Sequence, residues 1–140
     1  MTADDIIAAA RACLGTPFRH QGRLPGIGLD CAGVAIEVAR AIGCSALDVS
    51  GYGRTPAAGQ LEAALDAQPD LVRVADIADR QPGDLLLLRF TGEPQHLAIL
   101  TDVDTMIHSY EAVGRCCEHL VTPAWANRIV RVYRFSGVGA

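Results

Sequence analysis

Hydrophobic positions along this chain keep two different rhythms, one in each half. In the first half they recur every three or four residues. Ile6, Ile7, Ala10 and Leu14 fall on one face of a helix that Thr2 or Asp4 can cap and that Gly15-Thr16-Pro17 stops. Val34, Ala35, Val38, Ala41 and Ile42 repeat that spacing from Cys31 onward, with Asp30 in the N-cap position and Gly43 as the stop. Leu61, Ala64 and Leu65 predict a shorter third helix, ended by Gln68-Pro69. After Gln81-Pro82-Gly83-Asp84 the rhythm changes. LLLLRF reads as a buried strand, HLAILTD as a strand after a turn at 91–94, and TMIHSY as a third. CCEHLV is a fourth candidate, and RIVRVYRF ends the chain with the alternation of a half-buried strand. Residues 71–78 fit either type, and 45–58 read as a surface loop crossing near the site. Helices first and antiparallel strands second predict an α+β fold, with N-terminal helices packed on one face of a small antiparallel sheet.

Composition narrows the function. The 140 residues are expected to form a single domain, 1–140, with a net charge of −4 and no basic run, so nucleic acid is not an expected partner. No apolar stretch is long enough to cross a bilayer, so membrane insertion is not expected. The N-terminus MTADDIIAAARACLG has no early basic residue and no long apolar core, so a signal peptide is not expected. Five cysteines at irregular spacing read as free thiols rather than a disulfide framework. Cys116, Cys117, His119 and His108 can be written as a zinc set, but their spacing is poor, and neither metal nor organic cofactor is expected.

The chemistry concentrates between Leu14 and Gly43. A loop punctuated by Gly15, Pro17, Gly22, Pro25, Gly26 and Gly28 runs into Cys31 at the first position of its helix. Free N–H groups and the helix dipole favour an anion there, so Cys31 is expected to be the one strongly acidic thiol and a nucleophile. A nucleophilic thiol needs a base, and the base needs a group to orient it. His96 opens a strand directly after a turn, and a neighbouring antiparallel strand can bring His108 beside it. His20 lies in the glycine loop. His119, near an exposed turn, reads as a surface histidine.

Together, LGTPFRHQG, LDCAGV, QPGDLLLLRF, QHLAIL and MIHSY resemble, in order, the NlpC family of papain-like cell-wall cysteine peptidases. The text is most similar to the short forms encoded with phage or prophage tail genes. The resemblance implies Cys31 as nucleophile, with its own N–H contributing to an oxyanion hole, His96 as base and His108 as the residue that orients it. It places Asp30, Phe18 and His20 against substrate. Two positions depart from the family pattern: Phe18 stands where many members have tyrosine, and Ala32 where many have serine. The implied reaction is hydrolysis of the D-glutamyl–diamino acid bond in peptidoglycan stem peptides, without a cofactor. The implied setting is synthesis in a bacterial cytoplasm and assembly with tail-tip proteins into a virion tail or phage-like particle. Two alternatives stay open: a structural tail or assembly protein that keeps the fold without turnover, and a thiol amidase or acyltransferase on another substrate.

Overall fold

The computed structural model describes residues 2–44, 60–90, 96–102 and 104–137. The expected loop at 45–58 and turn at 91–94 lie outside these. Helix α1 (Ala3–Arg11) is closed at its start by a capping box between Thr2 and Asp5, and it buries Ile6, Ile7 and Ala10. Leu14, expected on the same face, is exposed, because the helix ends three residues before it. Helix α2 (Cys31–Ala41) starts where the sequence placed it, with the Asp30 carboxylate accepting from the Gly33 N–H at 2.8 Å. Helix α3 (Gln60–Asp66) follows.

Between α1 and α2, the loop forms a two-residue antiparallel ribbon of β1 (Arg23–Leu24) and β2 (Gly28–Leu29), too short to leave a period in the sequence. The residues left undecided at 71–78 hold β3 (Leu71–Arg73) and the start of a 3-10 turn (Ile77–Asp79). Strands β4 (Leu85–Leu88), β5 (His96–Leu100), β6 (Thr105–Tyr110) and β7 (Arg115–Leu120) then run as consecutive antiparallel neighbours. A four-residue helix α4 (Pro123–Ala126) leads into β8 (Ile129–Phe135). The sheet order is β3-β8-β4-β5-β6-β7. This is the expected α+β arrangement.

The central strands of the sheet are buried on both faces, and this goes beyond the expectation. Leu85, Leu87, Leu97, Ile99 and Ile107 pack against Ile6, Ala10, Val34 and Val38 of the helices. Leu86, Leu88, Ala98, Leu100, Met106, Ile129 and Val132 form a second cluster, covered by Val74, Ile77, Val121 and Trp125. Four consecutive leucines in β4 are therefore at most 2% exposed, as a strand apolar at every position requires. Among the described residues no helix is long and apolar enough to cross a membrane.

Candidate active site

The glycine loop is held to the start of α2 by one carboxylate. Asp30, 3% exposed, accepts from the Gly33 N–H, from the Gln21 N–H at 2.9 Å and from the Arg23 guanidinium at 2.9 Å. Gln21 has φ +59°, a left-handed conformation that costs a side-chain-bearing residue about 1–2 kcal/mol and that its bond to Asp30 holds in place. The Gly22 carbonyl sits where a Cβ on Gly33 would have to go. From the sheet side, the Ser109 hydroxyl donates to the Leu29 carbonyl at 2.6 Å. Asp30 is thus engaged within the protein by Gly33, Gln21 and Arg23. Phe18 and His20 line the same loop and are partly exposed, with the Phe18 N–H donating to the Gly114 carbonyl at 2.8 Å.

Cys31 stands where this loop meets β5. Its sulfur accepts from the N–H groups of Leu97 and Ala32, which brings the thiol to the residue that follows His96. The thiol is not acidic, contrary to the sequence expectation. Burial and the Asp30 charge push it up to about 12, against the smaller opposing effects of the two N–H groups and Arg23. All five cysteines are free, as expected.

The histidines are arranged by strand register. Ile99 faces Ile107 and Leu100 faces Met106 across β5 and β6, so His96 and His108 lie on one face as diagonal neighbours. Their rings meet, with His96 Nε2 to His108 Nδ1 at 2.6 Å. The structure therefore brings together the expected base and its orienting residue. It also adds one that the sequence reading set aside. In the β6–β7 register Met106 faces His119 and His108 faces Cys117, which puts His119 diagonal to His108 in turn. His108 Nε2 lies 2.7 Å from His119 Nε2, and His119 Nδ1 lies 2.8 Å from the Leu120 carbonyl. The available signal was the two-residue period of CCEHLV, which turns Cys117 and His119 to one face and Cys116 to the other.

Aromatic rings enclose this row. Phe90 lies 5.1 Å from the His96 ring, Tyr110 stacks on His108 at 5.2 Å, and Trp125 meets His108 edge-on at 5.2 Å. Trp125 comes from α4, which the sequence reading did not predict. Arg128 lies over the Trp125 ring at 4.8 Å. Burial lowers His96 to about 3, helped by the charge of Arg128, and lowers His108 to about 2, with repulsion added whenever a neighbouring imidazole is protonated. Both imidazoles are therefore neutral at pH 7, the form in which a ring nitrogen can accept a proton.

Three members of the poorly spaced zinc set do converge. The ligand atoms of His108, Cys117 and His119 lie within 4.8 Å of one another, while Cys116 is buried on the helix side. The 2.7 Å between the two Nε2 atoms is a hydrogen-bond distance. Two nitrogens sharing a tetrahedral zinc would stand about 3.3 Å apart.

The model of the NlpC/P60 family matches residues 15–134. No curated protein matches the chain. An NlpC/P60 family protein from Bacillus cereus ATCC 10987 is similar in structure, with a TM-score of 0.73 at 25% identity. That match covers 96% of this chain and 40% of the Bacillus chain, so this chain spans less than half of that protein's length. The NlpC/p60 domain of the peptidoglycan hydrolase SagA matches with a TM-score of 0.63 at 22% identity, over 94% of this chain and 97% of that domain. The peptidoglycan hydrolase RipB from Mycobacterium tuberculosis matches with a TM-score of 0.66 at 17% identity, over 99% of this chain and 65% of RipB. Since the family match takes in the glycine loop, α2 and all the strands of the papain-like α+β fold, this chain belongs to the NlpC/P60 family.

Proposed function

We propose that this protein is a cysteine peptidase that hydrolyses peptidoglycan stem peptides at the D-glutamyl–diamino acid bond. The observation that carries the reading is the placement of Cys31. It lies at a helix N-terminus, against the N–H of Leu97, the residue that follows His96, and the Nε2 of His96 is engaged by His108. His96 then has Nδ1 left to take the thiol proton as sulfur attacks the scissile carbonyl. The tetrahedral oxyanion forms beside the N-terminus of α2, where the Cys31 N–H serves as a donor. Collapse transfers the proton from His96 to the leaving amine and leaves an acyl-enzyme. Water deprotonated by His96 then hydrolyses the thioester. In this reading His96 acts as the general base for the attack. Phe18 and His20 are proposed to flank the substrate. Asp30, through its bonds to Gln21 and Arg23, shapes the loop that meets the peptide.

The resemblance of the motif text to tail-associated forms supports delivery by a phage-like tail, with tail-tip proteins as partners. Identification of the protein in purified particles by mass spectrometry is the test of that part.

For the reaction, purified stem peptides incubated with the protein and analysed by mass spectrometry should show cleavage between D-glutamate and the diamino acid. Cys31→Ala and His96→Ala should each abolish it, and His108→Ala should lower the rate by about 10-fold or more. Binding without cleavage by the unaltered protein would favour a structural tail protein. Transfer of the acyl group to an added amine in place of water would favour an acyltransferase.

A further inference from the structure

We propose that His119 is a positioning residue, which sets the tautomer of His96 through His108 so that His96 Nδ1 is free to accept a proton. The inference follows from counting donors along the row. The Leu120 carbonyl can only accept, so an uncharged His119 must carry its proton on Nδ1 and present a lone pair at Nε2. His108 Nε2, 2.7 Å away, must then supply the proton for that contact. A neutral His108 has no second proton, so its Nδ1 is an acceptor, and His96 Nε2 at 2.6 Å must donate to it. That leaves the lone pair of His96 on Nδ1. One backbone carbonyl on the edge strand thus fixes the direction of every hydrogen bond up to the base.

Without His119, His108 can carry its proton on either nitrogen. In the form protonated at Nδ1, His108 donates to His96 Nε2, and His96 must hold its own proton on Nδ1, where it cannot act as base. The row is also held sterically. Trp125 lies 5.3 Å from the His119 ring and 5.2 Å from the His108 ring, so both keep their positions. The consequence for turnover rests on the peptidase reading, whereas the tautomer itself does not.

The test uses protein labelled with 15N at histidine, kept in EDTA, and three variants. Long-range 1H–15N correlation spectra distinguish ring nitrogens that carry a proton from those with a lone pair. The unaltered protein should show His96 and His108 protonated at Nε2 and His119 at Nδ1. His119→Gln offers an amide oxygen to His108 and should keep that pattern. His119→Phe offers nothing and should give mixed tautomers at His108 and His96. His119→Lys can only donate and should reverse them. On stem peptides, His119→Phe and His119→Lys should lower kcat about 10- to 100-fold with KM unchanged, the usual cost of losing a group that orients a working imidazole. His119→Gln should restore kcat. An unchanged His96 pattern in both His119→Phe and His119→Lys would overturn the proposal, as would equal kcat losses in His119→Gln and His119→Phe with both folded. If the unaltered protein cuts no stem peptide, the peptidase reading fails, and the spectra alone decide the role of His119. If His119→Phe does not fold, the Gln and Lys variants carry the comparison.

Discussion

At Cys31 two effects of position oppose each other. The helix N-terminus and the N–H groups of Leu97 and Ala32 favour thiolate, while burial and the Asp30 carboxylate favour thiol. Desolvation is the largest of these, so the thiol is pushed up to about 12. Iodoacetamide alkylation of Cys31 should therefore rise about tenfold per pH unit from pH 6 to 9, following the thiolate fraction below the pKa. A resting thiolate–imidazolium pair would instead give a rate that is already flat at pH 6. Such a plateau, measured by mass spectrometry of the Cys31 peptide, would show that His96 takes the proton before substrate arrives.

At the scale of elements, the site depends on how closely the glycine loop approaches α2. Gly33 lies in the first turn of the helix, where alanine would ordinarily gain about 1 kcal/mol in helix propensity. Its Cβ, however, would meet the Gly22 carbonyl, and Leu29 would lie 3.1 Å away. Overpacking of that kind costs about 1–3 kcal/mol, so the clash wins. Gly33→Ala should lower the melting temperature and displace the loop from Cys31, with loss of turnover. Gly15→Ala is the control. At φ +82° with no atom within 4 Å, it meets backbone strain alone and should keep its turnover despite a similar loss of stability. A Gly33→Ala protein more stable than the parent would show that the approach is not tight.

Over the whole molecule, the buried histidines make stability depend on pH. His96 and His108 titrate near 6.5 when unfolded and are lowered to about 3 and about 2 in the fold. Between those values the unfolded chain binds more protons. Their contribution to stability is thus fully present above about pH 6.5 and is lost as pH falls toward the folded values. Each can remove up to about 1.4 kcal/mol per pH unit, so two are enough to exhaust an ordinary stability of about 5–15 kcal/mol within a few units. The melting temperature should fall steadily from pH 6.5 downward. The carboxylates held low by arginine, Asp66 beside Arg73 and Glu118 beside Arg11, join only below about pH 4.5. A double variant, His96→Ala with His108→Ala, should be flat from pH 6.5 to 5. A parent protein with a constant melting temperature over that range would show that the histidines are hydrated.

By itself the sequence determined what local rules govern. Periodicity and caps place α1, α2 and α3, because a helix is built from bonds four residues apart. Alternation and turns place β4 to β8, and α2 begins at Cys31 because Asp30 can cap it. The pairing of His96 with His108 was within reach for a similar reason, since neighbouring strands joined by a short turn have little freedom of register. Contacts without a local signature were decided only in three dimensions. The two-residue ribbon of β1 and β2 and the single-turn helix α4 are too short to repeat a period, so Trp125 over the histidines could not be foreseen. His119 joins the row only through the register of β6 with β7. The acidity of Cys31 turned on burial, which depends on everything packed around the sulfur, while the sequence showed only the helix end that burial outweighs.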